Sequence, residues 1–249
     1  MEIKWHISRT DVAKIKAFVR QQANNALVRD RKDRNLAKVK PQVQRERFWS
    51  QMVSMRLTSV QRSGPNSHVA RFIRSNPFPL AYKLVCAAGS IETLIAKTLK
   101  DAGGIRFSDR IARDLSANFR LLETGEWARA LQQCNRLTRL VRRSIEQEVA
   151  EYVQETFNGF GPKQARNLLQ ALGLTRYEIP IDSRVTRWLN EFGFPIELSA
   201  AALGDSNYYN FVSEGIRTLC ERSGVFPCIL DAAIFASKDG DSWTDANVG

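Results

Sequence analysis

Apolar side chains recur every three or four residues along almost the whole chain, and that period leaves little room for anything but helices. From Thr10 to Asn25, Val12, Ile15, Phe18, Val19 and Ala23 form a broad stripe with Asp11 in the first turn. Phe48 to Leu57 repeats the pattern through Phe48, Trp49, Met52, Val53 and Leu57, then breaks in the polar turn Thr58 to Pro65. Further helical segments run over Ala81–Ala88, Ser90–Asp101, Phe107–Glu123, Glu126–Cys134 and Leu137–Phe157. Past residue 160 they continue over Gln164–Leu172, Asp182–Phe192, Tyr208–Ser223 and Cys228–Ser237, and only Ile179–Ile181 reads as extended. No internal repeat of fixed period is visible. The expected fold class is all-α. With 249 residues, 43% of them hydrophobic, the chain can bury a full core as one large domain or two small ones.

The charge is as informative as the period. The formal net charge is +11, divided as +8 over residues 1–50, +8 over 51–150 and −5 over 151–249. A segregated cationic half points to a polyanion partner. Val28 to Arg47 carries Arg29, Arg31, Lys32, Arg34, Lys38, Lys40, Arg45 and Arg47 among few large apolar groups; it reads as a basic loop, an exposed helix or a solvated linker. Deleting or neutralising Arg29–Lys40 is therefore expected to weaken affinity for that polyanion and its salt slope while leaving any chemistry intact.

Other classes drop out. Cys86, Cys134, Cys220 and Cys228 form no CxxC pair, and His6 and His68 are too few and too scattered for a metal cluster or a Ser/His triad. No cofactor or metal is expected. No apolar run approaches the roughly 18–20 residues of a membrane span, and Met1-Glu2-Ile3-Lys4 does not open a signal peptide. The expectation is a soluble, monomeric, cytoplasmic protein, nucleoid-associated in a prokaryote, with no membrane contact.

Between two helical segments lies Asn158-Gly159-Phe160-Gly161-Pro162-Lys163. Gly159 and Gly161 allow a turn that a Cβ would forbid, Phe160 can anchor it, and Pro162 suits a first helical turn. The result is a helix-hairpin-helix whose N-terminal amides can bind a DNA phosphate without reading sequence. Lys163 then has two possible tasks: a second phosphate contact, or a partly desolvated nucleophile able to attack a sugar carbon and form a Schiff base.

Nineteen residues on, Ile179-Pro180-Ile181-Asp182-Ser183-Arg184-Val185 leads into another helix. Asp182 is a natural N-cap, which alone would account for it. Together with the hairpin lysine, however, this stretch resembles the helix-hairpin-helix DNA glycosylase superfamily, in which a GxG hairpin with lysine is followed at about this interval by an apolar-Asp-Ser/Thr lead-in. The resemblance implies that Lys163 is the nucleophile of a glycosylase/lyase and that Asp182 activates it and stabilises positive charge on the sugar.

Within that superfamily the iron-sulfur branch carries four closely spaced cysteines, which Cys220 and Cys228 do not supply. Gly104-Ile105-Arg106-Phe107 and Leu230-Asp231-Ala232-Ala233-Ile234-Phe235 are instead similar to the G-x-R-F and Leu-Asp-x-x-x-aromatic segments of the archaeal-type 8-oxoguanine DNA glycosylases, and the resemblance runs from about Phe48 to Lys238. Asp231 and Phe235, four apart on one helical face, would offer a carboxylate to an extruded base's edge and a ring to its face, with Phe107 as the opposite wall. For both phenylalanines core packing is the plainer alternative. In the polar turn, Val60 or Gln61 would wedge into the duplex and Arg62 would touch a phosphate.

The resemblance thus implies two helical subdomains flanking a cleft. Residues 1–47 would be a basic extension packed on the core, 48–157 a subdomain with the wedge loop, and 158–249 the hairpin, Asp182 and the last helices, with the two chain ends sharing a subdomain. The expected partner is double-stranded DNA containing a modified base. The expected activity is excision through a lysine Schiff base, 8-oxoguanine first. Another lesion, a hypermodified base of foreign (phage) DNA, a lyase acting only on abasic sites, or a non-enzymatic DNA-binding protein remain alternatives.

Overall fold

The computed structural model describes residues 4–59, 61–139 and 141–248, and the described residues contain helices and connections but no strand. The chain divides into two compact units, 39–174 and 1–38 together with 175–249. The divisions fall at 38/39 and 174/175, not at 47 and 157.

The unit of 39–174 holds α3 (Arg45–Leu57), α4 (His68–Ile73), α5 (Tyr82–Cys86), α6 (Ile91–Asp101), α7 (Ser108–Leu121), α8 (Trp127–Arg139), α9 (Arg143–Thr156) and α10 (Pro162–Ala171). α3 is central and packs on α5, α7, α8 and α10. It can do so because Phe48, Trp49, Met52, Val53 and Leu57 are all fully buried, covering about half its circumference. The Trp49 indole donates to the Leu80 carbonyl at 2.9 Å, so the ring is buried without an orphaned N–H. α10 packs on α3 and α9, which is why the hairpin belongs to this unit rather than opening a new one. Between α7 and α8 the chain makes a wide π-helical turn at Leu122–Glu126, with Gly125 at φ 131°. There Glu123 accepts hydrogen bonds from the Tyr82 hydroxyl (2.7 Å) and the Trp127 indole (2.6 Å). Burial pushes the Glu123 carboxyl up, but these bonds and the Arg45 charge outweigh it and hold it below the usual range; burial and the same hydrogen bond push the Tyr82 phenol to about 12.

The other unit joins the two chain ends: α1 (Arg9–Gln22), α2 (Ala26–Asn35), α11 (Ser183–Phe192), α12 (Ser206–Ser223) and α13 (Pro227–Lys238). α13 is its hub, packing on α1, α2, α11 and α12, and Cys228 to Ile234 are buried without interruption. α1 opens on a capping box, with Asp11 N donating to Ser8 Oγ (3.1 Å) and Ser8 N to Asp11 Oδ2 (2.9 Å).

The basic stretch after Val28 is helical up to Asn35 and a connection over 36–44. Its first part is α2, which buries Leu27 and Val28 against Cys228, Ile229, Ala232 and Ala233 of α13. The side chain of Asn35 donates to Thr175 O at 2.9 Å and Arg176 donates to Ala37 O at 2.8 Å. Lys40, in the other unit, donates to Leu174 O at 2.8 Å. Deleting Arg29–Lys40 would therefore remove core and anchoring contacts, so the expectation of a separable electrostatic arm is corrected. Among the described residues no helix is long and apolar enough to cross a membrane.

Candidate functional site

The hairpin is built from α9, the turn 158–161 and α10. Phe160 is 2% exposed and pins the turn into the core. Asn118 of α7 grips it from outside: Asn158 N donates to Asn118 Oδ1 (2.8 Å) and Asn118 Nδ2 donates back to Asn158 O (3.0 Å). The two glycines have different jobs. Gly159 sits at φ +79°, and a Cβ there would lie 2.3 Å from Arg56 Nε and 2.8 Å from Asp114 Oδ2. That close approach rests on the Arg56–Asp114 pair, whose Nε–Oδ2 distance is 2.9 Å. Gly161 has an ordinary φ of −75°, is exposed, and a Cβ there would meet no atom within 4 Å. Its backbone is open to a ligand. Among the described residues no side chain caps α10, and Pro162 is its first residue, so the helix start presents amide donors in the manner that suits a phosphate. Lys163 follows in that first turn, half-buried. The next basic residue, Arg166, is 1% exposed and donates to Pro162 O at 3.0 Å, a structural role.

In the same unit the structure joins two segments that the sequence leaves apart. Gln61 donates through its side-chain amide to Leu57 O, at the end of α3, and accepts the Arg106 N–H at 2.9 Å. The polar turn after α3 is thereby tied to Gly104-Ile105-Arg106-Phe107. Val60 lies outside the described residues; Arg62 is exposed. Phe107 is the informative member. It precedes α7 at φ 60°, a left-handed conformation costing about 1–2 kcal/mol for a bulky residue. The residue is 47% exposed and the Arg106 guanidinium lies 4.9 Å from its ring centroid. Core packing does not account for this phenylalanine.

Asp182 lies in the other unit and caps α11. Its Oδ1 accepts from Arg184 N (2.8 Å) and Val185 N (3.0 Å), and its Oδ2 accepts from Arg184 Nη1 (2.9 Å). The extended residues before it are fixed by one hydroxyl: Tyr209 donates to Ile179 O at 2.8 Å and accepts from Ile181 N at 2.7 Å. Nothing in the sequence marks Tyr209, because the contact spans about 30 residues and a buried tyrosine in an amphipathic helix looks like core.

The expected base-recognition face of α13 is differently employed. Asp231 is 5% exposed and pairs with Arg31 of α2 at 2.8 Å; the carboxylate that was to meet a base edge already has a partner. Phe235 is half-buried. The Arg184 guanidinium lies 4.0 Å from its centroid, and Trp243 meets it edge-on at 5.7 Å.

No family model matches the sequence, and no curated protein matches it in sequence. Solved structures do. The chain is similar to the 8-oxoguanine DNA glycosylase of Methanocaldococcus jannaschii, with a TM-score of 0.66 at 16% identity over 95% of this chain and 98% of that one. It is similar also to the 8-oxoguanine glycosylase/lyase of Methanocaldococcus jannaschii in complex with 15mer DNA containing 8-oxoguanine (TM-score 0.65, 16% identity, 93% and 100% covered). A third likeness is to the 8-oxoguanine DNA glycosylase of Thermotoga maritima (TM-score 0.64, 17% identity, 94% and 98% covered). Over nearly its whole length, then, the chain shares its all-α fold with these solved 8-oxoguanine DNA glycosylases.

Proposed function

We propose that the protein is a DNA glycosylase with AP-lyase activity that acts through Lys163. The observation that carries this reading is the placement of a half-buried lysine in the first turn of an uncapped helix, directly after a glycine whose backbone is open to a ligand, on a fold shared with 8-oxoguanine glycosylases. The amides at the start of α10 hold a phosphate and need no cation to do so. The Lys163 amine attacks C1′ of an extruded nucleotide, the bond from C1′ to the base breaks, and the base leaves with a proton. The aminal so formed opens by cleavage of C1′–O4′, with a proton passing to O4′, and the resulting Schiff base permits loss of a C2′ proton and β-elimination of the 3′ phosphate, which nicks the strand. Asp182, as a carboxylate, stabilises the positive charge that develops on the sugar and accepts the proton shed by the amine.

An oxidised purine is the first substrate, 8-oxoguanine among them. A second reading, another lesion or a hypermodified base of foreign DNA with a defence role, is favoured by the groups on α13, since Asp231 and one face of Phe235 are already engaged. A panel of duplexes, each with one modified base or an abasic site, distinguishes them by the base released and by strand nicking. Excision of one modified base with nicking supports the reading. Nicking of abasic DNA alone would make the protein a lyase. Binding without release from any duplex would leave a non-enzymatic helix-hairpin-helix protein.

A further inference from the structure

One residue holds Asp182 more firmly than capping requires. Arg184 donates through its backbone N–H to Oδ1 and through Nη1 to Oδ2 of Asp182, while its Nη2 donates to Asp239 Oδ1 at 3.0 Å. Its guanidinium lies 4.0 Å from the Phe235 centroid. The Arg184 side chain is 23% exposed and that of Asp239 1%. A surface arginine with four free torsions cannot orient another side chain; one held by two carboxylates and a ring can, because the planar fork fixes the angle between its partners. Asp239 is anchored in turn, as the residue closing α13, with its N–H donating to Phe235 O at 3.0 Å.

We propose that Arg184 is the positioning residue for Asp182, and that Phe235 serves Arg184 rather than an extruded base. The proposal rests on the glycosylase reading above. It also assigns a purpose to Asp239. A guanidinium beside a carboxylate cancels the negative charge that a cationic sugar needs; a second carboxylate on the same guanidinium leaves the trio formally at −1. Arg184 thus fixes the geometry of Asp182 without abolishing its field. The stacked guanidinium leaves no room for a base on the same face of Phe235, since a base would have to lie at about the same 4 Å.

The test measures single-turnover rate and KM separately, on a duplex the wild type cleaves, for Arg184→Gln, Arg184→Lys, Asp239→Asn and Phe235→Leu, with thermal melts to confirm folding. A misplacement of about 1 Å costs on the order of 100-fold in rate. Arg184→Gln is expected to lose about that much in rate with KM within a few-fold of wild type. Arg184→Lys, which keeps the charge but not the fork, should recover part of it. Phe235→Leu should lower the rate and leave KM alone, and Asp239→Asn should do the same more weakly. If Arg184→Gln does not fold, the other three variants carry the comparison. An Arg184→Gln rate equal to wild type, or a Phe235→Leu defect confined to KM, overturns the proposal while the glycosylase reading stands. A wild-type enzyme inert on every modified and abasic duplex overturns that reading and the proposal with it.

Discussion

Changing each hairpin glycine to alanine separates what holds the turn from what the turn holds. At Gly159 the new methyl must adopt φ +79° and would lie 2.3 Å from Arg56 Nε. The left-handed backbone costs about 1–2 kcal/mol. The Arg56–Asp114 pair, with side chains 5% and 21% exposed, must also shift. Breaking such a pair outright costs about 3–5 kcal/mol when both partners are buried; with Asp114 partly solvated and the pair displaced rather than broken, about 1–2 is the larger share it can take. Removing glycine's freedom from the unfolded chain returns about 0.4–1 kcal/mol. Gly159→Ala should therefore destabilise by about 2–3 kcal/mol, which moves a urea midpoint by about 1 M or more. At Gly161 the φ is −75° and no atom lies within 4 Å of the added methyl, so Gly161→Ala should fold within about 0.5 kcal/mol of wild type. Its methyl stands where a phosphate would approach the backbone, and duplex affinity should fall at least about tenfold, equivalent to about 1.4 kcal/mol. Urea unfolding and fluorescence anisotropy on one DNA duplex read the two effects. An unchanged midpoint for Gly159→Ala, or unchanged affinity for Gly161→Ala, would refute the division of labour between them.

Three further outcomes follow from buried groups. Asp231→Asn leaves the Arg31 guanidinium, 11% exposed, without its counter-ion and should cost about 3–5 kcal/mol, whereas Arg31→Met with Asp231→Leu should regain most of it; a stable Asp231→Asn that merely binds DNA less well would instead return Asp231 to base recognition. Burial pushes Cys134 to about 12 and raises Cys220 further, and Cys228 is also buried while Cys86 is exposed, so native protein should take up one equivalent of a thiol-alkylating reagent at neutral pH, at Cys86. The Glu123 carboxyl is held below its usual range, so its contribution to stability is complete above the ordinary glutamate value of about 4.3 and is lost as pH falls through the lowered folded value; the stability gap between wild type and Glu123→Gln should narrow on acidification, and a gap that widens contradicts the assignment.

Local signals in the chain are legible where one helix or one turn decides them. The stripe of Phe48 to Leu57, the GxG turn with buried Phe160, and the capping of α11 by Asp182 are all fixed by residues within a few positions of each other. What the chain hides is pairing at long range. Arg31 and Asp231 stand 200 residues apart, so neither the burial of α2 nor the prior engagement of Asp231 is visible in either segment alone. The charge of the stretch after Val28 hides its burial for the same reason: arginines among polar residues look solvated until a distant helix supplies the apolar partner. Four residues of separation correctly placed Asp231 and Phe235 on one face of α13, but periodicity says nothing about what already covers that face. Phe107 runs the other way, an apolar residue that period assigns to packing and that a left-handed backbone leaves exposed.

The central claim is that Lys163 forms a covalent bond to the deoxyribose. Borohydride reduction of a reaction mixture containing an end-labelled abasic duplex, and a second bearing the modified base the protein excises, tests it most directly. A stable protein–DNA adduct is expected with the wild type, mapping to Lys163 by peptide mass, and none with Lys163→Ala or Lys163→Gln although both still bind the duplex. An adduct of equal yield in Lys163→Ala, or none in the wild type on any substrate, would contradict the account.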